Sequence, residues 1–178
     1  MKAALVLCCC AVLLPAVAAR AQRHAAGCGP YSVKFATHLP TRGAWPGPVA
    51  GKALVYFDED NSGASSLSPP TTRIGIDGKW VGAMQEVSWF YTYVTPGSHT
   101  LCANWQTSWV PGWRATTQTD VFTAKAGGVY YFEAKYDEYG GQTSMRLHEL
   151  DKERGNLIVT RKYFYCTSHP EASGHPRK

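Results

Sequence analysis

Charge is scarce in this sequence. Charged residues make up 17% of its 178 residues, against ~25% in an average soluble domain. That excludes a disordered polyelectrolyte, which stays unfolded because it has too little apolar surface to bury. Long apolar runs are also missing. Ala3 to Leu14 is unbroken but ends at Pro15, short of the about 20 residues a membrane-spanning helix needs. No G-x-S-x-G elbow occurs, and no glycine loop that would cradle a phosphate, because the glycines fall at turns between strands. The six histidines, His24, His38, His99, His148, His169 and His175, never sit at i, i+2 or i, i+4 beside an acid, the spacing a zinc site uses. No catalytic residue, metal or cofactor is expected, and the chain is not expected to be an enzyme.

What is present is apolar and aromatic. Hydrophobic residues make up 44% and aromatics 12%, with six Trp, ten Tyr and six Phe. The length suits one domain, which holds roughly 100–200 residues. Lys2, the apolar run to Leu14 and the small residues around Ala16-Val17-Ala18 and Ala19-Arg20-Ala21 have the layout of a secretory signal peptide. Residues 1–21 are therefore expected to be a removed leader, with cleavage after Ala18 or Ala21. Cys8, Cys9 and Cys10 leave with it. Loss of Lys2 and Arg20 lowers the net charge of +5 by two, and so small a surplus is not a nucleic-acid footprint.

Cys28, Cys102 and Cys166 then remain. In an oxidising compartment three cysteines permit one bridge and one thiol. Cys28–Cys166 would close the longest loop, while Cys28–Cys102 and Cys102–Cys166 stay open, and Cys102 in a strand also reads as a small buried hydrophobe. Ala25-Ala26-Gly27-Cys28 resembles the end of a bacterial lipobox, whose cysteine takes a lipid anchor. Against this, Arg20, Gln22, Arg23 and His24 separate Cys28 from the apolar run. A catalytic Cys–His pair is conceivable, but an export signal favours a bridge over a reactive thiolate.

The rest reads as strands. Tyr31 to Ala36 alternates. Lys52 to Phe57 is a dense apolar run that suits a strand covered on both faces. Asp77-Gly78, between β-rich flanks, is the type I′ hairpin pair, because both central positions need φ > 0. Ser88 to Val94 places Trp89, Tyr91 and Tyr93 on one face. Pro96-Gly97 turns the chain into Ser98 to Trp105, where Cys102 faces away from Leu101 and Ala103. Thr119–Ala124 and Gly128–Tyr136 read as a pair around Ala126-Gly127-Gly128, and Thr143–Leu150 follows Gly140-Gly141. This spacing of turns predicts an antiparallel β-sandwich over residues 28–166, with at most one short helix near the C-terminus. Asp151 is its N-cap, followed by a helical turn and a strand within Asn156–Tyr165. Residues 167–178 are expected to be a disordered tail.

Two segments draw attention for binding. Asp58-Glu-Asp60-Asn-Ser62-Gly63 opens like a calcium loop, but its twelfth position, which needs a bidentate acid, is Pro69; a solvated turn is the preferred reading. Trp105, Trp109 and Trp113 recur every four residues, and Pro111-Gly112 breaks any helix there. On a loop such rings would stack on sugars; the competing reading is half-buried packing at an open end of the sandwich.

Four stretches, in order, carry a family resemblance: Gly51-Lys-Ala-Leu-Val-Tyr-Phe57; Arg73-Ile-Gly-Ile-Asp-Gly-Lys-Trp-Val-Gly-Ala83; Thr95-Pro-Gly-Ser-His-Thr-Leu-Cys102 after Trp89-Phe-Tyr; and Phe122-Thr-Ala-Lys-Ala-Gly-Gly-Val-Tyr-Tyr-Phe132. Together they resemble the bacterial exported family called domain of unknown function 2846, over about Cys28 to Cys166. The resemblance implies a compact PEGA- or immunoglobulin-like sandwich, often lipoprotein-like, and transfers no catalytic residue. The insertion Gln106–Gln118 departs from the pattern. The expected function is a non-enzymatic module of the bacterial envelope or periplasm, structural or protein-binding, with an envelope protein as partner. The alternative is a glycan-binding module using Trp105, Trp109 and Trp113. No nucleic-acid partner and no membrane span are expected.

Overall fold

The structure is a computed structural model; it describes residues 28–38, 46–60, 71–106, 116–117, 119–139, 142–161 and 164–171. The expected leader, Trp109, Trp113, the Gly140-Gly141 turn and residues 172–178 lie outside the described residues. The elements in chain order are β1 (Phe35–His38), β2 (Ala53–Asp60), β3 (Thr72–Ile76), β4 (Lys79–Met84), β5 (Ser88–Val94), β6 (Gly97–Trp105), β7 (Thr116–Thr117), β8 (Thr119–Ala124), β9 (Val129–Tyr139), β10 (Gln142–Leu150), α1 (Lys152–Arg161), β11 (Phe164–Tyr165) and β12 (Thr167–Pro170).

Among the described residues the fold is mainly β and sandwich-like, with one short helix, as expected. A six-stranded sheet, order β11-β5-β2-β9-β10-β7, faces a four-stranded sheet, order β4-β3-β6-β8. Between them lies the main core, including Val55, Phe57, Ile74, Phe90, Leu101, Phe122 and Phe132. The two-stranded sheet β1–β12 lies beside β4. The apolar run Lys52–Phe57 becomes the inner strand β2, and Ala53 to Phe57 are all buried. Alternate residues of β2 serve two cores. Val55 and Phe57 point between the sheets, while Leu54 and Tyr56 join Trp89, Tyr131 and Val159 on the outer face.

The strand pairing corrects two local readings. Pro96-Gly97 and Ala126-Gly127-Gly128 do not make hairpins: each carries the chain across the sandwich, from β5 to β6 and from β8 to β9. The second crossing delivers β9 to the end where β2 begins; the Gly127 N–H donates to Lys52 O and the Leu54 N–H to Gly128 O. β9 therefore runs parallel to β2, from Leu54↔Val129 to Asp60↔Lys135. Parallel pairs also join β11 to β5 and β7 to β10, so the larger sheet is mixed, whereas the smaller one is antiparallel throughout.

Other expectations shift at their edges. The strand expected over Tyr31–Ala36 starts only at Phe35, because the carbonyls of Tyr31 and Val33 are drawn to the Arg73 guanidinium. The turn expected at Asp58 is strand: Asp58 and Glu59 are 2% and 0% exposed, and Glu59 accepts a short hydrogen bond from the Thr72 hydroxyl. Thr167–Pro170, expected in the tail, pairs antiparallel with β1.

The helix is longer than the expected single turn, spanning Lys152–Arg161, and the strand after it shrinks to Phe164–Tyr165. Asp151 caps it, its carboxylate accepting the Arg154 N–H at 2.8 Å. Tertiary packing overrides the β-branched run, because Val159 is buried against the outer aromatic cluster. Gly155, unfavourable in a helix interior by ~1 kcal/mol, lets the helix touch the sheet. A Cβ there would stand 2.5 Å from Tyr131 Cβ and 2.6 Å from its Cδ2. Gly155→Ala, which would gain up to ~1 kcal/mol in an exposed helix, is instead expected to destabilise by about 1–3 kcal/mol through overpacking. Urea unfolding of the variant measures the sign directly.

Candidate functional site

The sequence places a type I′ pair at Asp77-Gly78, and the backbone shows it, with φ of 50° and 78°. The turn does more than reverse the chain. Asp77 Oδ1 accepts the Thr100 N–H at 2.9 Å, and Oδ2 lies 2.7 Å from His99 Nδ1. His99 Nε2 in turn lies 2.8 Å from Thr95 O. Both ring nitrogens therefore face acceptors. A neutral imidazole has only one N–H, so the arrangement is complete only with the imidazolium. Burial pushes the His99 value down, but the Asp77 and Thr95 acceptors outweigh it and raise the value above 6.5. For Asp77 burial pushes up, while the His99 and Thr100 hydrogen bonds win and hold it below 3.8.

The sign of the pH dependence follows. The raised histidine contributes stability that is full below 6.5 and lost as pH rises through the folded value. The lowered carboxyl contributes stability that is lost as pH falls through its own folded value. Stability from the pair is therefore largest between those two values. His99→Gln is expected to flatten the alkaline loss, read as the urea midpoint against pH.

This pair borders an open seam. β4 and β5 belong to opposite sheets, and their edges meet along one side of the sandwich. The C-terminal segment closes half of that seam. β11 lies parallel on Ser88 and Trp89, and the Cys166 N–H donates to Trp89 O at 2.8 Å. The chain then crosses to β4, where the Cys166 thiol donates to Ala83 O at 3.4 Å and Ser168 Oγ accepts the Ala83 N–H at 2.9 Å. At Gly82 the two edges touch: a Cβ there would meet Phe90 Cε2 at 2.6 Å. Beyond this point they part around a hollow of about 280 Å³, walled by Ile76, Val81 and Val94 and carrying Asp77, Lys79 and His99 at its polar side. Outside β5, half-buried Tyr91 and Tyr93 meet edge to face at 5.9 Å, and Tyr91 stacks on Tyr165 at 5.7 Å. The Tyr93 hydroxyl donates to Gly47 O at 2.7 Å.

A second hollow of about 290 Å³ lies between β8 and β10, lined by Thr119, Asp120, Arg146, Leu147 and His148. Among the described residues no group of three or more His, Cys, Asp or Glu is placed to hold a metal ion. No described helix is long and apolar enough to cross a membrane.

Of the expected site residues, Trp105, Cys28, Cys102 and Cys166 are described, while Trp109 and Trp113 lie outside the described residues. Trp105 is the last residue of β6, only 9% exposed and part of the core between the sheets. Its ring offers no open face for stacking, and any sugar platform would rest on Trp109 and Trp113, outside the described residues. Cys28 pairs with Cys102, their Cα atoms 5.2 Å apart. This selects one of the open connectivities and places Cys102 on the outer side of its sheet. Cys166 is the buried thiol left over. Burial pushes that thiol up to about 11, so it is protonated at neutral pH and is a poor nucleophile. Alkylation is expected to leave Cys166 unmodified in the folded protein and to label it fully after unfolding, as read by intact mass.

Arg73 is the buried group that sequence reading missed. It is 2% exposed. Nη1 donates to Tyr31 O and Val33 O, and Nη2 donates to Asn104 Oδ1 and Trp105 O. The guanidinium lies 4.5 Å from the Trp80 ring centroid, and the Trp80 indole N–H donates to Pro30 O. Arg73, Trp80 and the Cys28 bridge thus bind the segment before β1 to the smaller sheet. No sequence signal marks this, since an arginine in an alternating strand reads as a solvent-facing position.

Comparison of the chain with protein-family models, with curated proteins and with solved structures found no match.

Proposed function

We propose that the chain is an exported, non-enzymatic β-sandwich of the bacterial envelope or periplasm that acts as a structural or protein-binding module. The observation that carries this reading is the Cys28–Cys102 pair. Such a bridge persists in oxidising compartments and is rare in the cytosol, in agreement with the leader-like N-terminus. The same pair argues against the lipobox, because one sulfur cannot carry both a disulfide and a lipid thioether. Two described groups that could serve nucleophilic chemistry have structural roles instead: both His99 nitrogens face acceptors, and the Cys166 thiol is buried and protonated. The resemblance to domain of unknown function 2846 supports the same reading.

The test is fractionation of the source cells followed by cross-linking and capture of the tagged chain. The expected result is recovery with the envelope or periplasm, together with a reproducible protein partner. Recovery in the cytosol would overturn the export, and capture of no partner under cross-linking would overturn the protein-binding role.

A further inference from the structure

A sandwich has sheet edges, and an exposed edge invites another strand unless it is guarded. Two edges of this protein are guarded. In β4 the register jumps from Ile74↔Gly82 to Gly75↔Trp80, leaving Val81 as a bulge residue, and a bulge bends a strand away from regular pairing. In β8 the Asp120 carboxylate accepts the Val121 N–H at 2.8 Å, which occupies a donor that an incoming strand would need.

The β5 edge is different. Trp89 O points toward β11, since it accepts the Cys166 N–H. Backbone groups in a strand alternate sides with a period of two, so the N–H and C=O of Tyr91 and Tyr93 point to the same side as those of Trp89. β11 pairs only with Ser88 and Trp89. Among the described residues no strand continues along Tyr91 and Tyr93. The chain's own C-terminal segment thus fills the first half of the seam as a strand, and among the described residues the second half carries no strand, with the hollow on its inner side and the tyrosine rings on its outer side.

We infer that the open half of the β4–β5 seam is a docking site for an extended segment of a partner protein, which adds to β5 as a strand beyond β11. This rests on the protein-binding reading above and names its surface. Main-chain bonds to Tyr91 and Tyr93 supply affinity, and alternate side chains supply specificity. Side chains pointing inward meet the walls of Ile76, Val81 and Val94, so the segment carries an apolar residue there. Side chains pointing outward lie beside Tyr91 and Tyr93. At the rim the Asp77 charge is already engaged by His99, which leaves Lys79 to favour an acidic residue next to the apolar one. Val81, 36% exposed, is the apolar wall that a partner would cover.

The test uses the full chain, produced with its Cys28–Cys102 bridge, and a phage-displayed library of random extended peptides as probe. The expected result is enrichment of peptides with alternating apolar positions and an adjacent Asp or Glu. Their synthetic forms should slow hydrogen exchange at the Tyr91 and Tyr93 amides. Two variants decide the location. Val81→Lys places a charge in the hollow, and Tyr91→Pro removes an outward N–H at an edge position, where proline is tolerated. Each should weaken binding at least tenfold. If Tyr91→Pro does not fold, Val81→Lys and the exchange of the two amides decide alone. Enrichment of no peptide, or of peptides that bind Val81→Lys unchanged and leave both amides exchanging as before, would overturn the inference. A native partner captured equally well by wild type and Val81→Lys would also overturn it while leaving the protein-binding reading intact.

Discussion

Replacing Cys28 and Cys102 together by alanine is expected to lower the stability of the folded chain by about 4 kcal/mol. The two cysteines are 74 residues apart in sequence, and in the chain-entropy picture a bridge of that span restricts the unfolded chain by roughly this amount. Alanine at the fully buried position 102 avoids adding a buried hydroxyl, so the effect reports the bridge. For a domain of this size the melting temperature should fall by on the order of 10 °C. The loss should be largest around the N-terminal segment, because Cys28 anchors it directly and the Trp80 indole holds Pro30 beside it. Urea unfolding with and without reductant checks this: reductant should bring the wild type to the stability of the double variant and leave that variant unchanged. An equal midpoint with and without reductant in the wild type would contradict the role of the bridge.

Arg73→Met is the second large effect, with an expected cost of about 3–4 kcal/mol. Methionine fills much of the same volume but leaves acceptors behind. The Asn104 side chain and the carbonyls of Tyr31, Val33 and Trp105 lose their donor. A buried polar group without a partner costs ~1–3 kcal/mol, and water can reach part of this set. Arg73→Lys should recover less than half, because an ammonium neither forks across separated acceptors nor stacks on Trp80 as the planar guanidinium does. Limited proteolysis gives an independent reading: in Arg73→Met the chain between Cys28 and Phe35 should become the first cleavage site, while β2 and β9 stay protected. A variant as resistant as wild type would show that the disulfide alone holds the segment.

Neither group was readable in the sequence: three cysteines left the connectivity open, and Arg73 looked like a solvent-facing strand position. Asp77-Gly78 was legible because the requirement for positive φ is local. The Lys52–Phe57 run and the shared face of Trp89, Tyr91 and Tyr93 were legible because burial imprints a period on the chain. Sheet membership was not. A turn such as Pro96-Gly97 has the same residues whether it closes a hairpin or crosses between sheets, and the choice is made by partners far away in sequence. Buried polarity was misread for a related reason. Asp58 and Glu59 look like the start of a loop, and they are strand because Thr72 and the neighbouring sheet surround them. The tryptophan spacing left a loop platform and half-buried packing both open; for Trp105 packing holds, because β6 runs on through it and turns its ring into the core. The open seam has no sequence signature at all. It exists because β11 has only two residues and the chain then leaves for β4.

The proposal of an exported sandwich rests on the Cys28–Cys102 bridge. Peptide mapping of the chain purified from its own cells, alkylated before reduction, tests it most directly. The expected result is a cross-linked pair of peptides containing Cys28 and Cys102, Cys166 alkylated only when the protein is unfolded beforehand, and no lipid on Cys28. Recovery of Cys28 and Cys102 as separate alkylated thiols, or of Cys28 carrying a lipid thioether, would contradict it.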